Sequence, residues 1–413
     1  MTVPTESETP SKPARWSPGR ALLLTVAALL GVALVLAQIF AVTPVSWTEP
    51  LLRVHLLQSL IMAFDWLRDV WGSWTLILAL VAVVLALIVL RGRRTRASVT
   101  VGAVTALGLA LTLVTSTGLA LAAHRETGRW ILFGPPLPMV VDGHGPDKTV
   151  TYATLDGAQL RADLYLPEHV SGPVPVVVRI HGGGFVSGTR GPTPYNSWLA
   201  DQGYAFVDVD YRLSSAAEPR WNTEDADVGC ALTWVAAHAR EYNWDLSRLA
   251  TFGDSAGGNL AINVAYKIAN ATLRPSCGTA AELPRVRAVL ADYPAVDLTG
   301  SEGDTAEGQR VGREYLGGPA AQFPERYAYT DSAPQIGPNS PPTLLLQGKA
   351  DHLVFAKRTK AFADKLTAAG IANRYVQLPF YDHGYDGVLN LGAQVGREAV
   401  LDWLRRYDAR LSG

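Results

Sequence analysis

The stretch Leu249-Ala-Thr-Phe-Gly253-Asp-Ser255-Ala-Gly257-Gly258 decides how the last two thirds of the chain folds. An apolar strand runs into the pattern Gly-x-Ser-x-Gly, and a helix is predicted to begin directly afterwards. In that context Ser255 lies on a sharp strand-to-helix turn with its hydroxyl exposed, and Gly253 and Gly257 leave room for the crowded backbone. The N–H groups that open the helix favour negative charge beside the serine. We therefore interpret Ser255 as a candidate nucleophile.

Glycines also follow an earlier strand, in the sequence His181-Gly182-Gly183-Gly184-Phe185. The strand before them, 174–180, is rich in valine and typical of a strand buried on both faces. A glycine triplet at a strand end lets backbone N–H groups point toward one place, where they can stabilise an oxyanion. On its own the motif could be an ordinary glycine-rich loop. Its position before the serine motif favours an oxyanion hole, with the N–H of Ala256 as a further donor.

Two more candidate residues follow in the chain order serine, acid, histidine. The predicted strand 343–346 leads to Asp351, and the next predicted strand, 374–378, leads to His383. Loops that follow consecutive strands meet at the sheet edge that carries Ser255. His383 is therefore predicted to take the serine proton, and Asp351 to orient the imidazole.

Three neighbouring residues are alternatives to these two. Asp382 and Asp386 are possible acids, but each is too close in sequence to His383 to reach its far ring nitrogen easily. His352 is an alternative base, although its place beside Asp351 is more typical of a loop histidine. We therefore predict that Asp351 and His383 complete the triad.

Strands and helices alternate from Lys148 to the C-terminus. Such alternation predicts a mostly parallel sheet with helices on both faces. Besides the strands named above, strands are expected at 149–155, 161–166, 204–211, 249–252 and 287–290, and helices at 224–242, 256–270 and 356–369.

Four motifs of this region resemble those of the hormone-sensitive-lipase-like carboxylesterases and acetyl esterases. In this chain the four motifs are 181–185, 253–258, Tyr211-Arg212-Leu213 and Asp292-Tyr293-Pro294. The resemblance covers residues 148–413 and implies an α/β-hydrolase fold that acts on short to medium acyl esters. It also implies an oxyanion hole made by Gly183, Gly184 and Ala256. The sequence departs from the family in two features. No segment before the first strand corresponds to the usual cap, and the loop 351–354 looks closer to peptidase-like and feruloyl-esterase-like relatives.

Three long apolar stretches occupy the first third of the chain, at 21–42, 74–90 and 99–123. A helix needs about 20 apolar residues to cross a bilayer core, and three such stretches in succession argue against buried helices of a soluble protein. The predicted organisation is a disordered cytoplasmic tail at 1–20, a membrane region at 21–123, a linker at 124–147 and a catalytic domain at 148–413.

A different pattern occupies 51–71, where apolar residues recur at helical spacing with charged residues among them. The charged residues are Arg53, Asp65, Arg68 and Asp69. Because four charges are expensive inside a bilayer, an amphipathic helix lying at the membrane interface is predicted. A fourth membrane span is the alternative.

Basic residues predict which way the membrane region is oriented, because they gather on the cytoplasmic flanks of membrane helices. They precede the first span at Lys12, Arg15 and Arg20, and they fill the turn between the second and third spans at Arg91, Arg93, Arg94 and Arg96. Both groups lie inside only if two spans separate them. The third span then exits outward, which predicts a multi-pass protein of the cell membrane with an extracytoplasmic catalytic domain.

Composition excludes several other kinds of protein. The chain has 36 Lys and Arg against 37 Asp and Glu, and this balance does not favour a nucleic-acid partner. The two cysteines form no Cys/His cluster, so neither a metal nor a cofactor is predicted. Outside the cytoplasm Cys230 and Cys277 would tend to oxidise, but they are predicted at opposite ends of successive helices, which leaves a disulfide open.

The predicted activity is that of a lipase-like serine carboxylesterase that cleaves small-molecule, lipid-borne or glycan-borne acyl esters, with membrane lipid as its other partner. The alternatives are a membrane acyltransferase with the same triad, a peptidase-like hydrolase, and a catalytically dead binding domain, although no triad member is missing. The segment 295–340 is either a lid or acyl pocket or a long surface connection. Because every motif lies within 135–413, we expect that fragment to be soluble and active.

Overall fold

The computed structural model describes residues 16–92, 94–135, 143–168, 170–278 and 282–409. Its N-terminal helices are α1 (Pro18–Val42), α2 (Val45–Leu52), α3 (His55–Trp71), α4 (Thr75–Gly92) and α5 (Arg96–Thr127). Within these described ranges, three helical stretches are long and apolar enough to cross a membrane, and they are Pro18–Val42, His55–Gly92 and Arg96–Thr127. The second stretch joins α3 to α4 through a short 3-10 turn.

The helices differ from the predicted ranges mainly at their ends. Helix α1 begins at Pro18, inside the predicted tail, because proline is favoured in the first helical turn. Helix α5 runs into the predicted linker and ends at Gly128, which has a left-handed backbone. The predicted helix 51–71 is divided between α2 and α3, because the backbone is extended at Val54. Parts of the predicted tail and linker, 1–15 and 136–142, lie outside the described residues.

Helices α1, α4 and α5 pack together as a bundle, in which α5 runs parallel to α1 and α4 runs antiparallel to both. Near one end, the buried amide of Gln38 donates to Thr75 Oγ1 at 3.4 Å and accepts from Thr115 Oγ1 at 2.9 Å, which ties the three helices together. At the opposite end, a side chain at Gly92 would meet the guanidinium of Arg20. The start of α1 and the turn between α4 and α5 therefore lie at the same end of the bundle.

The described part of the C-terminal region forms one eight-stranded sheet. Its strands are β1 (Lys148–Leu155), β2 (Ala158–Tyr165), β3 (Val174–Ile180), β4 (Ala205–Val209), β5 (Trp244–Asp254), β6 (Ala288–Asp292), β7 (Thr343–Gly348) and β8 (Asn373–Leu378). Their order is β1-β2-β4-β3-β5-β6-β7-β8. Strands β1 and β2 are antiparallel to their neighbours, and every other pairing is parallel. The carboxyl ends of β5, β7 and β8 therefore share one edge, as the motif order predicted.

Helices cover both faces of this sheet. They are α6 (Asn196–Asp201), α7 (Glu224–His238), α8 (Ala256–Ala269), α9 (Leu298–Ser301), α10 (Ala306–Glu314), α11 (Pro324–Thr330), α12 (Ala356–Ala368) and α13 (Leu391–Ala409). Alternate residues of β3 enter different cores: Val176 and Val178 pack with α7, α8 and α12, whereas Val177 packs with α6 and α13. Both faces of β3 are buried, as its valine-rich sequence predicted.

The N-terminal helices also pack directly against the sheet domain. Leu119 and Ala123 of α5 belong to the same apolar cluster as α13. Beyond that cluster, Arg374 of β8 donates to Glu126 of α5 at 2.8 Å. The two regions therefore share a packed interface in addition to the chain that connects them.

A disulfide joins Cys230 and Cys277, whose Cα atoms are 5.7 Å apart. Cys230 lies in α7, and the chain that leaves α8 folds back along α7 to reach it. Leu273 and Pro275 of this returning segment pack close to Gly229, where a Cβ would meet Leu273 Cδ2 at 3.2 Å. The chain reversal thus resolves the question that helix positions alone left open.

Candidate active site

The turn between β5 and α8 holds Ser255 at a φ of 56° and a ψ of −118°. Such a backbone costs a non-glycine residue about 1–3 kcal/mol and persists only where its surroundings enforce it. A Cβ at Gly253 would overlap the carbonyl of Gly257, and a Cβ at Gly257 would overlap that of Ile180. The N–H of Ser255 donates to the carbonyl of Asp292 at 2.9 Å and helps to hold the turn.

The three residues predicted as a triad form one hydrogen-bonded line. Ser255 Oγ lies 2.9 Å from His383 Nε2, and His383 Nδ1 lies 2.9 Å from Asp351 Oδ2. The other oxygen of Asp351 accepts the N–H groups of Leu353 and Val354 at 2.8 and 2.7 Å. Because Asp351 is fully buried, these donors fix the direction from which its carboxylate meets the imidazole.

His383 lies in an environment that favours its protonated form. Burial by itself lowers the pKa of the imidazole, but the charge and hydrogen bond of Asp351, together with the charges of Asp382 and Asp254, outweigh burial and raise the pKa above its ordinary value. A raised pKa makes His383 a stronger base toward a neighbouring hydroxyl.

The three alternative residues have other partners. Asp382 Oδ1 accepts the N–H groups of His352 and His383 at 2.6 and 2.7 Å. Asp386 accepts a hydrogen bond from the phenol of Tyr293. The His352 ring is fully buried, and its Nδ1 lies 3.1 Å from the other oxygen of Asp382. The hydrogen-bonded line to Ser255 therefore runs through Asp351 and His383.

The glycine loop lies against the serine turn through Asp254, a residue that sequence reasoning did not single out. Asp254 Oδ2 accepts the N–H of Gly182 at 3.1 Å, and its Oδ1 accepts from Arg179 at 2.8 Å. Arg179 is buried in β3 and also donates to Asp208 of β4 at 3.0 Å. The sequence does contain a signal for these contacts, because Arg179 lies in an otherwise apolar strand and a buried charge requires a partner.

The three predicted oxyanion residues, Gly183, Gly184 and Ala256, line one cavity together with Ser255. Gly183 and Gly184 have φ values of 123° and 61°, which favour glycine. A Cβ at Gly183 would overlap the carbonyl of Ser187. The sequence motif therefore provides a backbone that other residues could not adopt at this position.

The cavity beside Ser255 has a volume of about 310 Å³. Helices α9, α10 and α11 of the segment 295–340 form much of its wall. The apolar residues that this segment contributes are Val296, Leu298, Val311, Leu316 and Tyr327. Leu353 and Val354, beside the buried acid, also line it. Of the two readings of 295–340, the structure favours a pocket wall over a surface connection.

One group of potential metal ligands occurs among the described residues, formed by Asp65, His352 and Asp382. His352 Nδ1 lies 3.1 Å from a carboxylate oxygen of each aspartate. Arg68 pairs with Asp65 on its other side. These contacts are those of a hydrogen-bonded ion network, and the group lies behind the catalytic loops.

Comparisons with known proteins agree with this geometry. A profile of the BD-FAE family matches residues 162–366. The chain is 31% identical over 224 residues to the probable carboxylic ester hydrolase LipM of Mycobacterium tuberculosis, across 52% of this chain and 51% of LipM. It is 29% identical over 251 residues to the carboxylesterase NlhH of the same species, across 58% of this chain and 74% of NlhH.

A solved bacterial heroin esterase aligns with a TM-score of 0.53 and 25% identity, over 63% of this chain and 84% of that chain. A carbohydrate esterase from gut microbiota, in truncated form, has the same fold with a TM-score of 0.53 and 18% identity, over 64% of this chain and 100% of that chain. The chain spans about half the length of the curated relatives LipM and LipC that it matches.

The fold is that of the α/β hydrolases, and a Ser–His–Asp hydrogen-bonded line lies at the carboxyl edge of its sheet. The relatives named above are described as carboxylic ester hydrolases, and the chain is similar to them over about half of its length.

Proposed function

We propose that the protein is a membrane-anchored serine carboxylesterase that cleaves acyl esters through an acyl-enzyme on Ser255. One observation carries the proposal, namely the continuous line from Asp351 through His383 to Ser255 beside an apolar cavity. A serine hydroxyl is a weak nucleophile until a positioned base removes its proton, and His383 Nε2 lies at hydrogen-bond distance from that hydroxyl.

In the proposed reaction, His383 takes the Ser255 proton while Ser255 Oγ forms a bond to the ester carbonyl carbon. The carbonyl oxygen becomes an oxyanion that accepts hydrogen bonds from the N–H groups of Gly183, Gly184 and Ala256. The ester C–O bond then breaks, and the alcohol leaves with the proton from His383. Water repeats the sequence on the acyl-enzyme and releases the carboxylic acid and free Ser255.

The proposed substrates are acyl esters of small molecules, lipids or glycans that reach the membrane surface. A cavity of about 310 Å³ is small for a ligand site, which favours short to medium acyl groups. The exposed apolar side chains of α1, α4 and α5 support membrane lipid as the surrounding partner, and they include Leu29, Ile77, Leu80, Val84, Leu107 and Val114.

The proposed location is the cell membrane, with the catalytic domain outside the cytoplasm. Arg20, Arg91, Arg94 and Arg96 support this orientation, because basic residues mark the cytoplasmic end of a bundle. Lys12, Arg15 and Arg93 add to the same count but lie outside the described residues. The Cys230–Cys277 disulfide gives independent support, since disulfides persist in oxidising compartments.

Covalent labelling tests this function directly. The full chain in detergent should react with a fluorophosphonate, and the modified peptide should map to Ser255. A series of p-nitrophenyl esters should be cleaved fastest at short to medium acyl length. Product analysis with and without a competing alcohol separates hydrolysis from acyl transfer: free acid as the main product in both supports the esterase, whereas a transferred ester as the main product contradicts it.

A further inference from the structure

Helix α3 carries its charged residues on the side that faces the sheet domain. Asp65, Arg68 and Asp69 are 0, 2 and 3% exposed. Apart from the buried Ile61, its large apolar residues are mostly exposed, and the most exposed are Leu56, Leu60, Trp66 and Leu67. The helix is amphipathic, as predicted, but protein covers its polar face while its apolar face is free to contact lipid.

The loops behind the triad are joined by one carboxylate. Asp382 Oδ1 accepts the N–H of His383, the triad histidine, and also the N–H of His352, the residue next to Asp351. Its Oδ2 lies 3.1 Å from His352 Nδ1. Asp382 thus connects the loop of the acid to the loop of the base, and its own position affects both.

Helix α3 holds Asp382 and His352 from behind. Asp69 Oδ2 accepts the N–H of Asp382 at 3.0 Å. Asp69 Oδ1 accepts from Arg68 Nε and Nη2 at 2.9 and 2.7 Å, so the carboxylate is fixed on both sides. Arg68 also pairs with Asp65, whose Oδ2 lies 3.1 Å from His352 Nδ1.

Two further contacts fix the register of α3 on the domain. Asn390, at the start of α13, donates to the carbonyl of Asp69 at 2.9 Å. About three helical turns before Asp69, the Gln58 amide donates to the carbonyl of His352 at 3.4 Å and accepts the N–H of Glu307 of α10 at 3.3 Å. Helix α3 therefore contacts the histidine loop, the acid loop and the cavity wall.

We propose that α3 is a positioning element of the active site: its Asp69, supported by Arg68 and Asp65, sets the place of Asp382 and through it the alignment of His383 with Ser255. Buried charges require partners, so this network is complete only when α3 is docked. A helix outside the serine, glycine and histidine motifs thereby positions the catalytic residues. The inference rests on the proposed triad.

The test compares three variants of the full chain in lipid–detergent micelles. Asp69→Ala removes the acceptor for the Asp382 N–H. Asp69→Asn keeps an acceptor oxygen and a similar shape but loses the charge opposite Arg68. Asp364→Asn is the matched control, because Asp364 is an exposed aspartate of α12 that pairs only with Lys360 in the described residues. Hydrolysis of p-nitrophenyl butyrate is normalised to the amount of Ser255 that a fluorophosphonate labels.

Asp69→Ala should lower kcat per labelled site by about 10- to 100-fold, the cost of a displacement near 1 Å at a reacting group, with little change in KM. The midpoint of its pH profile should move to lower pH as the Asp382 charge retreats from His383. Asp69→Asn should be intermediate, and Asp364→Asn should match the wild type. A merely structural role would reduce the labelled fraction while leaving kcat per site and the pH midpoint unchanged.

If Asp69→Ala has the same kcat per labelled site and the same pH midpoint as the wild type, the inference is overturned. If Asp69→Ala does not accumulate, Asp69→Asn decides: a reduced kcat supports positioning, and a wild-type kcat overturns it. Ser255→Ala, measured beside these variants, distinguishes failure of the positioning role from failure of the triad. If Ser255→Ala is inactive and Asp69→Ala is fully active, only the positioning role is wrong. If Ser255→Ala is active, the proposed triad itself is wrong.

Discussion

Asp69 Oδ2 accepts the backbone N–H of Asp382 at 3.0 Å, although the two residues are 313 positions apart in the chain. The first belongs to a helix beside the proposed membrane spans, and the second precedes His383. The bond connects an N-terminal region, predicted from its apolar stretches to lie in a membrane, to a site predicted from glycine and serine motifs. It also changes what is expected when the two regions are separated.

The fragment 135–413 is expected to hydrolyse esters with a lower kcat than the full chain. It retains every motif, but it lacks α3 and the end of α5. His352 and Asp382 keep each other but lose their partners on α3, and the cluster around α13 loses Leu119 and Ala123. Turnover per labelled serine, compared with the full chain, measures the loss. Equal turnover would restore the expectation from sequence that the domain is active alone.

The pH dependence of kcat/KM reports the ionisation of His383. Only the neutral imidazole can accept the Ser255 proton, so activity should rise with pH as His383 deprotonates. Because Asp351 raises the pKa of His383 despite burial, the midpoint should lie above the ordinary imidazole value of about 6.5. A rate profile on a neutral, water-soluble ester measures it, and a midpoint below that value would show that the Asp351 charge does not control the base.

Asp351→Asn should reduce kcat by roughly 10⁴-fold, the effect of the corresponding change in a serine–histidine–aspartate triad. The amide can donate to His383 Nδ1 and favour the wrong tautomer. The new side chain keeps a similar volume and one acceptor oxygen for the N–H groups of Leu353 and Val354. Circular dichroism should therefore match the wild type. Near-normal turnover in this variant would transfer the role of acid to another carboxylate, with Asp382 the nearest candidate.

Much of the site could be predicted from the sequence because its parts are local. A strand followed by Gly-x-Ser-x-Gly dictates the elbow, and loops after neighbouring parallel strands meet at one edge. Ser255, Asp351 and His383 therefore followed from chain order and strand positions, and the structure brings them together.

The contacts of α3 could not be predicted in this way. Its charges were visible, and they argued against a simple membrane span, but an amphipathic pattern does not say whether water or protein covers the polar face. Only the packed arrangement pairs Asp69 with Asp382, since a bond to a backbone N–H leaves no mark on the sequence. The division of 51–71 at Val54 was missed for a similar reason, because the apolar spacing continues across the break.

The orientation in the membrane is tested by a reporter fused to the C-terminus. Alkaline phosphatase folds only outside the cytoplasm, and the proposed topology places the C-terminus there, so the fusion should be active. The same fusion made after α4 should be silent, because the turn between α4 and α5 carries the basic residues. A silent C-terminal fusion would reverse the orientation and remove the extracytoplasmic substrates with it.

The turnover of Ser255→Ala tests most directly whether Ser255 forms the acyl-enzyme. The variant should fold, since its half-buried side chain contributes little packing. Hydrolysis of a p-nitrophenyl ester by the full chain should fall below about one part in a hundred of the wild-type rate, by the behaviour of triad knockouts, and fluorophosphonate labelling should disappear. If hydrolysis and labelling both persist in folded Ser255→Ala, Ser255 is not the nucleophile and another residue forms the acyl-enzyme.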